Sequence, residues 1–470
     1  MATVKTQRLK YVLTDFLTAN AAFFAFDVYR YLNFDRIASD NVFRFLSETK
    51  MVAEQCVIPA ILLGLYWLSG YYNQPFKKSR LQEFFTTFFS ALIAMLLIYL
   101  ALLTNDQSLI VSTNYMMMAV LFGVLFVFTY IGRLTITSLT IKNLRKRHWR
   151  QPSIIIGSSE EGLEMASRLS DPRINIGYDI IGFVPIDNET SAKVLPAPVI
   201  SLEELPEKVE KLGVKQIFIA PEKMDDRKIL SLVTQLYPLD TSIRIAPDTL
   251  DYVTSSIHLQ DIYAEPFVDL TSPKVSEASK NIKRLIDVVF SVAALTLLAI
   301  PAIVISVLVK RSSPGPVFYR QERIGYRQRP FNILKFRTMR TDAEASGPQL
   351  TGENDSRITG VGRTLRKYRL DELPQFWNVL RGDMSIVGPR PERAFFISQI
   401  VEKAPYYTLV HQVRPGITSW GMVKFGYAST VDEMVARTRF DLIYLSNMSI
   451  AVDFKIMIYT IRTVLTGKGK

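Results

Sequence analysis

Four long apolar stretches open the chain, at roughly residues 11–32, 51–72, 83–104 and 111–137. Each is close to the ~20 residues that a helix needs to cross a hydrocarbon core, so the pattern predicts a membrane bundle of four spans over residues 1–140. Asp15 and Asp27 interrupt the first. From Gln151 the pattern changes: PSIIIGSSEEG, YDIIGFVPID and VKQIFIAP read as short buried strands, with SLEELPEKVEKLG as a helix between two of them. Strands alternating with helices predict a Rossmann-like α/β domain over 151–270. A polar linker, 271–281, follows. A fifth apolar run, uncharged from Val288 to Val309, contains Pro301. Its length suits a crossing, but Pro301 removes an N–H bond and collides with the carbonyl of Leu297, which bends a helix. A kinked fifth crossing and a hairpin that enters and returns both fit. The final segment, from Ala436 to Leu465, has apolar residues at mixed helical spacing and predicts helices on the membrane or packed on a core.

Lysine and arginine set the expected orientation. Lys5, Arg8 and Lys10 precede the first span, Lys77, Lys78 and Arg80 lie between the second and third, and Lys142, Arg145, Lys146, Arg147 and Arg150 follow the fourth. The TNDQS turn after the third has none, whereas the first loop carries Arg30, Arg36, Arg44 and Lys50 beside acids. The charge rule then puts both ends of the bundle in the cytoplasm. It also holds both ends of the fifth run there, through Lys283 and Arg284 before it and Lys310 and Arg311 after it. Asp287 lies four residues from Lys283 and three from Arg284, a spacing that predicts mutual neutralisation on one helix face or a cluster that steers a lipid phosphate.

The whole chain, 470 residues with 48% hydrophobic side chains and a net charge of +12, implies an anionic partner. Three histidines and one cysteine argue against a Cys/His zinc site or a disulfide framework. No aromatic-interleaved RNA motif is present, so membrane lipid and phosphorylated small molecules are the expected partners rather than nucleic acid. In the α/β part, the dinucleotide fingerprint needs glycine at 157, 159 and 162, but Ser159 stands at the middle position, where backbone meets pyrophosphate. A Tyr-x-x-x-Lys pair is also missing. The domain therefore reads as a regulatory or assembly module, with nucleotide binding as the alternative.

The densest chemistry lies in YRLDELPQFWNVLRGDMSIVGPRP, residues 368–391. Asp371 and Glu372 precede Pro374, and Pro favours a first helical turn, so the pair is expected at a helix N-terminus, where the dipole favours negative charge. Arg363, Arg366, Lys367, Arg369, Arg381 and Arg390 surround it. Two carboxylates among cations suit a divalent metal and a phosphorylated substrate. Between Lys310 and Arg340 there are nine Lys or Arg and one acid, Glu322. Alternation in FNILKFRTM places Lys335 and Arg337 on one strand face. RPGITSWGM offers Arg414 and Gly416 beside Trp420, which can stack on a base or anchor at an interface.

KRLID, SPGP, KFRTM, RITGVGRTLRKYRLDELPQFWNVLRGDMSIVGPRP and RPGIT, in that order over 280–470, resemble the polyprenyl-phosphate sugar-1-phosphate transferases, the monotopic phosphoglycosyl transferases. The four spans and α/β insert resemble the long-form members, with 282–470 as an α-rich catalytic domain. The resemblance implies a re-entrant helix, 283–311, broken at Pro301, with the catalytic face on the cytoplasmic side of a bacterial inner membrane. It implies that Asp371 attacks a UDP-sugar and releases UMP, that Glu372 holds Mg²⁺, and that undecaprenyl phosphate then takes the sugar phosphate. Such an enzyme starts exopolysaccharide, O-antigen or capsule synthesis. Lys335, Arg337, Arg369, Arg390 and Arg414 would bind substrate, and Lys283, Arg284, Asp287 and Pro301 would serve the lipid-facing helix. After RPGIT, where relatives continue with a Gln and a Gly-Arg-Asn run, this chain has Ser419, Met422 and FGYAST. The competing readings are a membrane-tethered nucleotide-sugar oxidoreductase or epimerase and a non-catalytic assembly scaffold. A homodimer through the membrane or α/β half is a further expectation.

Overall fold

The computed structural model describes residues 4–35, 41–76, 78–103, 111–145, 149–171, 177–186, 195–220, 226–239, 241–246, 267–271, 275–343, 347, 355–426 and 428–465. The TNDQS turn, Arg36, Lys77, Lys146, Arg147, Tyr427 and linker residues 272–274 lie outside them.

The first half is helical: α1 (Val4–Arg30), α2 (Val42–Leu46), α3 (Thr49–Leu68), α4 (Arg80–Leu103) and α5 (Val111–Arg145). Among the described residues, Met51–Leu68, Glu83–Leu100 and Tyr115–Leu144 are long and apolar enough to cross a membrane. The first expected span is the exception in composition, and its acids turn inward. Asp15 is buried and receives two bonds from the fully buried Arg133 of α5, each 2.9 Å. A carboxylate and a guanidinium that neutralise each other inside a bundle avoid exposing either charge to lipid tails.

The second part alternates: β1 (Gln151–Ile156), α6 (Glu160–Ser170), β2 (Tyr178–Val184), α7 (Leu205–Leu212), β3 (Gln216–Ile219), α8 (Asp226–Leu236), β4 (Ser242–Ile245) and β5 (Val268–Asp269). The sheet order is β2-β1-β3-β4-β5, parallel except for antiparallel β5. Uninterrupted apolar strands such as Ile154–Ile156 are buried on both faces, as parallel sheets require. The turn from β1 into α6 is tight enough that a Cβ at Gly162 would collide with the carbonyl oxygen of Gly157. Two carboxylates, Glu160 and Glu161, sit in the first turn of α6, where a bound phosphate would lie.

The last part starts with α9 (Glu277–Leu297) and α10 (Ala299–Ser312), apolar helices bent by 62° at Leu298. The break lies three residues before Pro301, where the proline ring displaces the preceding turn. Then follow β6 (Phe318–Ile324) and β7 (Pro330–Phe336), an antiparallel pair, α11 (Gly360–Lys367), α12 (Gln375–Arg381), β8 (Ser385–Val387), α13 (Ala394–Lys403), β9 (Gly416–Thr418), α14 (Trp420–Lys424), α15 (Val431–Ser446) and α16 (Ile450–Leu465). β8 and β9 pair in parallel, and Val379, Met384, Val387, Tyr444 and Ile456 close a core behind them.

The expected neutralisation of Lys283 and Arg284 by Asp287 is corrected by this packing. Lys283 donates to Asp453 of α16 at 2.6 Å, and Arg284 donates to the carbonyls of Val379 and Leu380 at 2.7 and 3.0 Å. Asp287 is buried and accepts from the Ser385 hydroxyl at 2.8 Å and the Ile386 N–H at 3.1 Å. Helical spacing brings the three side chains near one another. Partners from the rest of the domain satisfy each separately, and in a dry seam a fixed hydrogen bond outweighs a solvated i,i+4 pair.

Candidate active site

The chain leaves α11 at Tyr368, turns through Arg369 in the left-handed region (φ 53°) and forms a single 3-10 turn, Leu370–Glu372. Pro374 caps α12, which follows. The carboxylates thus sit on the turn that leads into the N-terminus of α12, in keeping with the expected placement. Pro374 suits the start of the helix, because the first N–H groups of a helix have no intrahelical partner to lose. Asn378 ties α12 to β7: its Oδ1 accepts from the Leu334 N–H at 3.0 Å and its Nδ2 donates to the Asn332 carbonyl at 2.8 Å. This seam brings Lys335 over the pair, and Arg284 fixes the far end of α12 to α9.

Asp371 and Glu372 are 7% and 5% exposed. Lys335 Nζ donates to Glu372 Oε1 at 2.9 Å, and Arg390 Nη1 stands 3.7 Å from the same oxygen. Burial pushes the Asp371 carboxyl up to about 6; Glu372 adds to the rise, and Lys335 and Arg366 oppose it. Burial acts on Glu372 in the same sense, but Lys335, Arg390 and Arg369 outweigh it and hold that carboxyl down at about 2. Two adjacent carboxyls driven apart in this way can take different roles. Glu372 is an ionised anchor, and Asp371 is a carboxylate that the cations do not fully quench.

Among the other expected site residues, Arg369 and Arg390 surround the pair. Arg337 does not serve it. It lies one residue beyond β7 and is buried, and its fork turns back to donate to the carbonyls of Ser313 at 2.6 Å and Pro314 at 2.7 Å. The expected phosphate contact is therefore corrected to a clamp on the turn leaving α10. Arg337→Met is expected to destabilise the catalytic half by about 2–4 kcal/mol, because buried carbonyls lose their donors. Thermal unfolding in detergent checks this. Arg414 donates to the Gly382 carbonyl at 2.8 Å and lies 6.0 Å from the Tyr326 ring, at the C-terminal end of α12. Pro301 is exposed on α10, on the apolar face of the bent pair.

Sequence reasoning missed the support behind Arg390. Glu392 is buried between Arg437 (Nη2 to Oε1, 2.6 Å) and Arg323 (Nη1 to Oε2, 3.2 Å), and Arg323 also donates to the Pro391 carbonyl at 3.1 Å. Asp441 accepts from the Gly421 N–H at 3.0 Å and from the backbone of Arg390. The only local signal was the glutamate two residues after Arg390; Arg323, Arg437 and Asp441 are distant in sequence. Arg366, which acts on Asp371 and bonds Thr338 at 2.9 Å, was visible only as one cation among many.

No group of three or more His, Cys, Asp or Glu able to hold a metal occurs among the described residues. An all-protein cage is thus missing there. Mg²⁺, however, takes one or two carboxylates and completes its shell with substrate phosphates and water. Adjacent Asp371 and Glu372 fit that mode.

A buried, unequal acid pair under Lys335 and Arg390, in a part of the chain that opens with a bent apolar helix pair, defines a charged site in a protein with candidate membrane helices. Residues 278–467 match the bacterial sugar transferase family, and residues 68–247 match a CoA-binding domain family. The UDP-N-acetylgalactosamine-undecaprenyl-phosphate N-acetylgalactosaminephosphotransferase of Aeromonas hydrophila is 45% identical over 188 residues, 40% of this chain and 44% of that protein. The UDP-glucose:undecaprenyl-phosphate glucose-1-phosphate transferase of Escherichia coli is 35% identical over 263 residues, 56% of this chain and 57% of that one. This chain thus spans about half the length of those two relatives. The UDP-galactose-lipid carrier transferase of Erwinia amylovora is 31% identical over 350 residues, 69% of this chain and 70% of that protein. The chain belongs to the bacterial sugar transferase family.

Proposed function

We propose that this protein transfers a sugar 1-phosphate from a UDP-sugar to undecaprenyl phosphate through a covalent intermediate on Asp371. The observation that carries the reading is the inequality of the acid pair: Glu372 is locked by Lys335, while burial keeps the charge of Asp371 poorly solvated and nucleophilic. An Asp371 oxygen bonds to the sugar-bearing phosphorus as the bond to the UMP oxygen breaks, and UMP leaves with that electron pair. An oxygen of the lipid phosphate then attacks the same phosphorus and releases Asp371 as carboxylate. Arg390 and Lys335 balance the diphosphate charge; Arg390 can do so with two parallel bonds. Glu372 would hold Mg²⁺, with substrate phosphate oxygens and water completing the shell, and the ion would supply further neutralisation of the diphosphate. The names of the relatives support a UDP-hexose donor and an undecaprenyl phosphate acceptor.

In this reading four bundle helices cross the inner membrane with both ends cytoplasmic, and the α9–α10 pair enters and returns at its bend. The α/β half and Asp371 then share the cytoplasmic face, where a soluble nucleotide sugar and a lipid head group can meet. Cysteines at Lys211 and at Arg311, which lie before α9 and at the end of α10, should react with an impermeant maleimide from the same side of sealed vesicles. Labelling from opposite sides contradicts the hairpin.

The assay for the function is UMP release across a panel of UDP-sugars, with Mg²⁺ and with EDTA. Release is expected with a UDP-hexose and to fall at least about 10²-fold in EDTA; no release with any sugar rejects the reading. A reductase or epimerase acting through the α/β half is disfavoured by Ser159 and by the carboxylates that open α6.

A further inference from the structure

Among the described residues, the start of α9 meets the bundle at the short loop Gly70–Gln74, between α3 and α4, and at the end of α3, where Asn281 donates to the Trp67 carbonyl. The loop is anchored on the bundle side by Tyr72, whose hydroxyl donates to Asp15 at 2.8 Å, and Asp15 is itself held by Arg133. On its other side Asn73 donates to Glu277 at 2.7 Å, and Gln74 donates to the second oxygen of Glu277 at 3.1 Å. The approach is close: at Gly70 (φ +78°) a Cβ would lie 2.5 Å from the Cβ of Glu277, so backbone must pass there without a side chain. Glu277 begins α9. Two turns further along, Arg284 bonds the last carbonyls of α12, whose first residue, Gln375, is joined to the Asp371–Glu372 turn through Leu373 and Pro374. A continuous path of hydrogen bonds and rigid helix therefore runs from the buried Asp15–Arg133 pair to the acid turn.

We propose that Asn73 and Glu277 form a latch by which the four-helix half acts on the reaction as a positioning element. The latch fixes α9, and α9 fixes α12 and the turn that carries Asp371. Asn73 and Glu277 are positioning residues, since neither touches the reacting groups. The membrane half then does more than anchor the enzyme: it sets the geometry of the site. This inference rests on the reading of Asp371 as the nucleophile, because misplacing an attacking atom by a fraction of an ångström lowers turnover more than it lowers substrate affinity.

The test uses the full chain in lipid nanodiscs. Asn73→Ala with Gln74→Ala is expected to raise amide exchange about tenfold in the peptide covering 370–381, while exchange in 151–156 stays unchanged. UMP release should fall about fivefold or more in kcat, with KM for the UDP-sugar within about twofold. In a Cys56→Ser background, Asn73→Cys with Glu277→Cys should be similarly impaired, and closing the two thiols with a short bis-maleimide should restore exchange and kcat to within about twofold of the parent. Unchanged exchange at 370–381, raised exchange with unchanged kcat, or no recovery on cross-linking each overturns the proposal. If the double alanine variant unfolds, Asn73→Asp, which sets a like charge against Glu277, decides by the same readouts. A parent that releases no UMP from any UDP-sugar rejects the transferase reading, and the exchange data then still decide the latch.

Discussion

Asp371→Asn is expected to lower exchange of labelled UMP into UDP-sugar by about 10⁴-fold or more, with the fold intact. The exchange reaction needs no lipid acceptor, so it isolates the step in which the carboxylate attacks. The amide is nearly isosteric and keeps the turn, but it cannot act as a carboxylate nucleophile. The pH dependence of the same reaction follows from the burial of Asp371. Its carboxyl is pushed up to about 6, and only the ionised form attacks, so kcat/KM should rise with pH through about 6. At pH 5 about one site in ten would be ionised, and the rate should be roughly tenfold below its plateau. Measuring exchange between pH 5 and 8, without polyprenyl phosphate, keeps the titration of the lipid phosphate out of the profile.

Lys335→Met should give the second-largest effect, about 10²-fold or more in kcat/KM at neutral pH. Two consequences combine. The diphosphate loses a cation, and Glu372 loses the 2.9 Å bond that holds it ionised in a buried place. The sign of the pH effect separates this variant from simple loss of binding. Lys335 lowers the Asp371 carboxyl, so removing it moves the rising limb to higher pH. An unshifted limb in Lys335→Met would mean that the ammonium is not close enough to Asp371 to matter. Arg337→Met, by contrast, should lower stability and leave the position of that limb unchanged.

Much of this organisation was legible along the chain because each relevant signal is local. Span lengths mark α3, α4 and α5, strand–helix alternation marks the sheet, and one segment carries both acids and Arg390. Residues whose partners come from elsewhere were not legible in this way. Asp15 looked like an interruption of a membrane span because its partner, Arg133, lies on α5. Arg337 shares strand parity with Lys335, yet two carbonyls of the turn leaving α10 claim its guanidinium. Lys283, Arg284 and Asp287 have the spacing of a self-contained pair set, but Asp453, the end of α12 and the start of β8 take them one by one. Glu392 stands two residues from Arg390 and conveys nothing until Arg323 and Arg437 close on it. Pro374 made the place of the acids at the head of α12 legible, whereas the separate 3-10 turn that carries them was not.

The α/β half presents a mostly parallel sheet in which Glu160 and Glu161 open α6. The bundle presents a charge pair buried between helices and a loop fitted to α9. Both sit upstream of a catalytic half whose charged residues converge on Asp371 and Glu372. The bent α9–α10 pair links them, because the bundle loop grips its first turn and α12 is bonded to its third.

The most direct measurement is intact-protein mass spectrometry after mixing the full chain with a UDP-sugar in the absence of polyprenyl phosphate. The account predicts a mass gain of one sugar phosphate, located on the peptide containing Asp371, lost on addition of undecaprenyl phosphate and never formed in Asp371→Asn. UMP release without any adduct, or an adduct on another residue, would contradict it.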